Sequence, residues 1–183
     1  MVNHKVKWNF RQAENKDTRA IVALVDSAYR GDSSRLGWTT EADLLGGKRT
    51  FNEEVESILF APQNKIILLQ DESQLLASVH IKKSDSNKNK DRAYLGMFAV
   101  SPNFQNQGIG KALLSYVEKF VVDEWQCSEM EMTVIRQRVE LIAWYEKLGY
   151  RVTGEVRDFP YGDERYGIPK REDLVLDVLA KRI

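Results

Sequence analysis

The most chemically suggestive stretch of the chain is Gln105-Asn106-Gln107-Gly108-Ile109-Gly110-Lys111, which runs straight into a helical pattern. Glycines let backbone amides approach a ligand closely. The first turn of a helix adds free N–H groups and a partial positive charge. Together they make a site for an anion. The same geometry also serves a plain tight turn with a helix cap, and the spacing alone does not separate the two. Two familiar phosphate loops are excluded. A dinucleotide fingerprint G-x-G-x-x-G fails because Leu113 stands at the third glycine. A Walker loop fails because Gln105 replaces its first glycine and Ala112 replaces the hydroxyl that would hold Mg²⁺.

Arg138 and Tyr145 are seven residues apart, about two helical turns, so they share a face. Tyr145 lies beside Leu141, Ile142 and Leu148 on that wheel. Carboxylates that could act as bases are Glu129 and Glu131, which alternate on a strand opposite Met130 and Met132, and Glu41 and Asp43. The pattern of the first pair equally fits a solvated edge. Glu41, Asp43, Glu53 and Glu54 would suit a cationic ligand or serve as surface charge. His80 falls mid-strand with no second ligand nearby, and His4 is near the start of the chain, so no metal site is expected. Cys127 is the single cysteine; it excludes an intrachain disulfide, fits a reducing compartment, and reads as a small buried residue.

These residues need elements to position them. The patterning predicts a strand over 6–13, a helix over 15–30 with Ile21, Leu24, Val25 and Ala28 on one face, and Gly31 as its stop. Thr40 with Asp43 three residues on resembles a capping box, which predicts a short helix over 41–45. A helical stretch follows over 51–60. Strands over 65–70 and 74–82 flank a turn at 71–73, and 84–91 is a polar loop. Arg92–Val100 is apolar on both faces, as a doubly covered central strand should be. A helix over 108–124, a strand over Glu129–Ile135, a helix over 138–148 and a strand over 150–156 come next. A long loop over 158–170 and a last strand over 173–179 complete the pattern. Gly96 inside an apolar strand predicts a bulge there or at Met97.

The chain has 183 residues, enough for one domain with a real core and short for two, so 1–183 is expected to be a single domain. The element order predicts an α/β (α+β) sheet of about seven strands with helices on both faces. Lysine plus arginine and aspartate plus glutamate number 27 each, and a net charge of zero argues against a general role on nucleic acid or anionic membrane. No run approaches the roughly 20 apolar residues of a membrane span. With no signal-type apolar run at the N-terminus, a cytoplasmic protein is expected.

Gln105-Asn106-Gln107-Gly108-Ile109-Gly110 resembles Q/R-x-x-G-x-G/A, the acetyl-CoA signature of the GCN5-related N-acetyltransferase (GNAT) superfamily. The string LGMFAVSPNFQNQGIGKALL is similar to that family's fourth strand, loop and third helix, and LIAWYEKLGYRVTGE to its fourth helix and following strand. The motif-level likeness covers roughly 92–156 of the sequence.

The resemblance implies a mixed sheet splayed between its fourth and fifth strands. It implies acetyl-CoA as cosubstrate, its pyrophosphate on the amides of Gln105, Asn106, Gln107, Gly108, Ile109, Gly110 and Lys111, and its pantetheine arm along the backbone of Phe98, Ala99 and Val100. It implies Tyr145 as the general acid for the leaving thiolate; phenol and alkylthiol have similar pKa values. Seven residues earlier the family often has an asparagine that touches the coenzyme, and here Arg138 takes that place. The family's usual fourth-strand glutamate is absent, so the sequence names no base. The late loop, with Phe159, Tyr161 and Tyr166, is expected to cover the acceptor. The acceptor would be a small-molecule or a peptide or protein amine. A homodimer is compatible with the family, and no residue pattern demonstrates one. Two other readings stay open: a non-catalytic coenzyme A-binding module, and transfer of a longer acyl group into a pocket near Met97 and Met132.

Overall fold

A computed structural model describes residues 8–72, 74–84 and 91–183. His4, the first residues of the expected strand over 6–13, Ser73 of the expected turn and most of the expected polar loop lie outside the described residues. Seven strands form one sheet: β1 Asn9–Gln12, β2 Asn64–Gln70, β3 Leu75–Lys83, β4 Arg92–Val100, β5 Glu129–Ile135, β6 Arg151–Asp158 and β7 Val175–Arg182. Their order across the sheet is β1-β2-β3-β4-β5-β7-β6. The pairing is antiparallel except between β4 and β5, which run parallel. Among the described residues, four helices of nine or more residues cover it: α1 Thr18–Tyr29, α2 Asn52–Phe60, α3 Ile109–Trp125 and α4 Val139–Lys147. None is long and apolar enough to cross a membrane.

The core has two layers because the central strands are apolar on both faces. In β2, Ile66 and Leu68 face α1 and α2, while Ile67 and Leu69 face α3 and α4. Leu113, Val117 and Val121 recur at helical spacing in α3 and are fully buried, each contributing about 1.5–3 kcal/mol. Gln126 ends α3 in a left-handed conformation, its side-chain amide donating back to the carbonyls of Val122 and Asp123.

The expected bulge is present in β4. Its register against β3 shifts between Gly96 and Ala99, and Met97 has φ of 44°. A left-handed non-glycine residue costs about 1–2 kcal/mol. It also inverts the strand. Ala93 and Leu95 pack with α3 and α4, whereas Met97 and Ala99, of the same parity, pack with α1 and α2. Phe98 and Val100 are thereby turned toward α3 and α4. The β4–β5 ladder holds only over Arg92–Tyr94 and Glu129–Glu131, so the two strands part beyond it. The hydroxyls of Tyr94 and Thr133 bridge the fork at 2.9 Å.

The expected helix over 41–45 is instead a single turn. Thr40 Oγ1 accepts from the Ala42 amide as a cap would. Leu45–Gly46 then leaves the turn to pair with Ile168–Pro169 of the late loop, because a tertiary strand partner outcompetes continued helix at a glycine pair.

Candidate functional site

The fork between β4 and β5 opens two cavities that meet at Tyr29, Phe98, Leu141 and Tyr145. The first runs toward the glycine loop. After β4 the chain makes a 3-10 turn at Pro102–Phe104, then takes left-handed conformations at Asn106 (φ 63°) and Gly108 (φ 82°) before α3 begins. No side chain caps that first turn, so the Ile109, Gly110 and Lys111 amides are free to meet an anion. A Cβ on Gly108 would have nothing within 4 Å, so the approach to these amides is open.

Gln105 holds this end together. Its amide nitrogen donates to Thr39 Oγ1 at 2.8 Å and to the Val100 carbonyl at 3.1 Å, and its oxygen accepts from the Trp38 amide at 2.9 Å. The loop after α1 is thus tied to the end of β4. Gly37 makes room for it, since a Cβ there would lie 2.6 Å from Gln105 Oε1. Val100, Gly110 and Lys111 line the cavity, as do Trp38 and Trp144. Ile109 and Ala99 are buried in the core, so only their backbones can take part; Asn106 and Gln107 are exposed on the loop.

At the junction, the Tyr29 hydroxyl donates a short hydrogen bond to the Phe98 carbonyl at the bulge. Tyr145 is 4% exposed and stacks edge-on against Trp144 and Tyr150, with Phe98 6.5 Å away. Burial, then the neighbouring Tyr29, pushes the Tyr145 phenol well above its usual range. It therefore keeps its proton. Tyr29 had no sequence signal beyond its place on the apolar face of α1.

The second cavity, about 150 Å³, lies on the far side of that junction. It contains a buried cluster. The Glu41 carboxylate accepts from Arg30 Nη1 at 2.5 Å and from Arg138 Nη1 at 2.7 Å, and Arg138 Nη2 donates to the Thr39 carbonyl at 2.8 Å. Burial would raise the Glu41 pKa, but Arg138, Arg30 and Arg49 outweigh it and hold the carboxyl below its ordinary range. Arg138, which stands at the family's coenzyme-touching position, is thus engaged with Glu41 and Thr39 and lines this cavity. Glu41 stays ionised and doubly paired, which is unlike a general base.

The late loop closes the same cavity: Phe159, Pro160 and Tyr166 line the wall. Lys170 fixes the loop, its backbone amide donating to the Leu44 carbonyl and its ammonium to the Ala42 carbonyl. Tyr161 points elsewhere, accepting from the Leu174 amide. Outside lies a wider vestibule lined by Glu53, Glu54, His80 and Arg49.

The other candidate bases are engaged or remote. Glu131 is buried between Arg92 (2.7 Å) and Arg157 (2.6 Å), and Glu129 pairs with Arg92. The solvated-edge alternative fails for Glu131 because β7 continues the sheet beyond β5. Asp43 pairs with Arg35 at the surface. His80 Nε2 meets Asn64 Oδ1 at 2.7 Å, and burial, then Lys82, lowers its pKa to about 4, so its ring is neutral at pH 7. Cys127 is buried and its pKa is raised, chiefly by desolvation. Among the described residues no three His, Cys, Asp or Glu side chains gather to hold a metal.

The model of the acetyltransferase (GNAT) family matches residues 25–150, which contain β4, the glycine loop, α3, β5 and α4. The chain belongs to this acetyltransferase (GNAT) family. Among curated GNAT-like relatives, S-alkylcysteine N-acetyltransferase of Bacillus subtilis (strain 168) is 27% identical over 150 residues, 78% of each protein. N-alpha-acetyltransferase 30 of Dictyostelium discoideum is 34% identical over 76 residues, so the match spans 41% of this chain and 40% of that relative. The GNAT fold is matched by the crystal structure of the ribosomal-protein-alanine N-acetyltransferase from Brucella melitensis. It has a TM-score of 0.71 and 16% identity, covering 96% of this chain and 99% of that one.

Proposed function

We propose that the protein transfers the acetyl group of acetyl-CoA to an amine, by direct attack within the β4–β5 fork. One observation carries this reading. The inverted β4 and the free start of α3 open onto one cavity, whose inner end is Phe98 and Tyr145. The pyrophosphate would meet the amides of Ile109, Gly110 and Lys111. The pantetheine arm would run past Trp144 along β4, bringing the thioester to Phe98. There the acceptor nitrogen forms a bond to the thioester carbon, and a β4 amide near Phe98 stabilises the oxyanion. The C–S bond breaks, the nitrogen loses a proton to water, and the Tyr145 phenol donates one to the departing sulfur. The Tyr145 hydroxyl is protonated when the thiolate appears; burial makes it a weaker acid than an ordinary phenol, and the same desolvation raises the pKa of the departing thiol with it.

Isothermal titration with acetyl-CoA, followed by thiol release across an amine panel with mass detection of the acetylated product, tests the proposal. Micromolar binding and one acetylated amine per thiol support it. No micromolar binding refutes it. Binding without turnover on any amine leaves a coenzyme A-binding module, and faster turnover with longer acyl-CoA esters identifies a longer acyl donor.

A further inference from the structure

The second cavity carries more positive charge than the fold itself compensates. Arg30, Arg49 and Arg138 line it, with Glu41 as the one carboxylate among the described lining residues. Both oxygens of Glu41 are already engaged, by Arg30 and Arg138. Arg49 is half-buried and pairs with no carboxylate among the described residues; its guanidinium carbon lies 5.8 Å from the centroid of the Tyr29 ring, as does that of Arg138. Arg30 is 5% exposed, yet its Nε and Nη2 have no hydrogen-bond partner. Those two nitrogens form one edge of the guanidinium, the edge that takes a carboxylate side-on with two parallel hydrogen bonds. Elsewhere in this chain Arg136 uses that same edge to hold Asp177, at 3.1 and 2.6 Å. On Arg30 that edge has no acceptor, and its Nη2 lies close to Gly167. An arginine cannot shed its charge, and buried donors left without an acceptor cost about 1–3 kcal/mol or more. The site is therefore built for an anion.

The position of that anion restricts the acceptor. Tyr29 spans the distance: its hydroxyl is on the Phe98 carbonyl, where the thioester would lie, and its ring is flanked by the guanidiniums of Arg49 and Arg138. The anionic group then sits beside the Tyr29 ring, close to the attacking nitrogen. An amine and a carboxylate on the same carbon meet that requirement; a lysine side chain or a polyamine does not. The remaining wall is apolar, from Met97, Met132, Leu141, Phe159 and Leu176. We propose that the acceptor is a free α-amino acid with an apolar side chain, its carboxylate bound by Arg49 beside Arg30 and Arg138.

The inference rests on the transfer reading above, and its test separates the two. Thiol release from acetyl-CoA is compared for L-methionine, L-methioninamide and the dipeptide methionyl-leucine. Titration of L-methionine and L-methioninamide into the protein with coenzyme A gives a second readout. The expected result is a kcat/KM for L-methionine about 100-fold or more above the amide, in line with the loss of a desolvated ion pair, with the dipeptide also poor. Arg49→Gln should reduce that preference below tenfold, chiefly through KM, and Arg49→Lys should restore part of it. Retained acetyl-CoA binding by both variants shows that they fold. Equal turnover of acid and amide, or better turnover of the dipeptide, overturns the inference while leaving acetyl transfer intact. No thiol release, with binding of L-methionine but not of its amide, overturns transfer and supports the anion site.

Discussion

Replacing Glu41 with glutamine removes the carboxylate that two buried arginines share, while keeping its shape. Glu41, Arg30 and Arg138 are 8%, 5% and 6% exposed, and the two contacts are 2.5 and 2.7 Å. Breaking a buried pair by removing one partner costs about 3–5 kcal/mol. For a chain of this size each kcal/mol moves Tm by about 2–4 °C. The expected loss at pH 7 is therefore about 6–20 °C, read by thermal melts and by the urea midpoint. The pH dependence supplies a second signature. The native carboxyl is held below its ordinary value of 4.5, so the unfolded chain takes up the proton first as pH falls. The stabilisation is complete above about pH 4.5 and is lost as pH drops through the lower native value. The gap between wild type and Glu41→Gln should close in that acid range. A Tm within about 2 °C of wild type at pH 7, or a gap that persists in acid, would refute the reasoning.

Tyr145→Phe should lower kcat about 100-fold or more while the KM for acetyl-CoA changes little, since a general acid contributes roughly 10²–10⁴; full kcat in steady-state thiol release removes the acid role. Gly108→Ala should cost about 1–2 kcal/mol of stability in urea melts from its left-handed backbone. Its Cβ meets no protein atom, so a further tenfold loss of acetyl-CoA affinity by titration would report ligand contact at the loop. Gln105→Ala removes three hydrogen bonds and leaves the Trp38 amide unpaired, which should weaken acetyl-CoA binding by about 1–3 kcal/mol in the same titration. His80 binds its proton near pH 4 when folded and near 6.5 ordinarily, so the unfolded chain binds more protons between those values and stability falls as pH drops through them. Melts of His80→Gln should show a shallower fall over that window.

What the sequence displayed was local. The glycine loop, the bulge at Gly96–Met97 and each of the two family blocks could be read because each depends on residues a few positions apart. The consequence of the bulge could not. Alternation in Arg92–Val100 looks uniform, and only the φ of Met97 sends Phe98 and Val100 toward α3 and α4. The anion cavity was hidden for a different reason. Arg138 and Glu41 are 97 residues apart, and nothing in either segment marks a buried pair. The family likeness alone sets Arg138 at the coenzyme, and Glu131 reads as a candidate base because the two distant arginines that neutralise it leave no mark in the local pattern. The turn at 41–45 was mistaken for a helix because its strand partner, Ile168–Pro169, lies far along the chain.

The central claim is that acetyl-CoA lies in the β4–β5 fork with its thioester between Phe98 and Tyr145. The crystal structure of the acetyl-CoA complex tests it most directly. The account predicts pyrophosphate oxygens on the amides of Ile109, Gly110 and Lys111, pantetheine alongside β4 against Trp144, and the sulfur within hydrogen-bond reach of the Tyr145 hydroxyl. A coenzyme bound elsewhere, or one whose sulfur points away from Tyr145 into solvent, would contradict it.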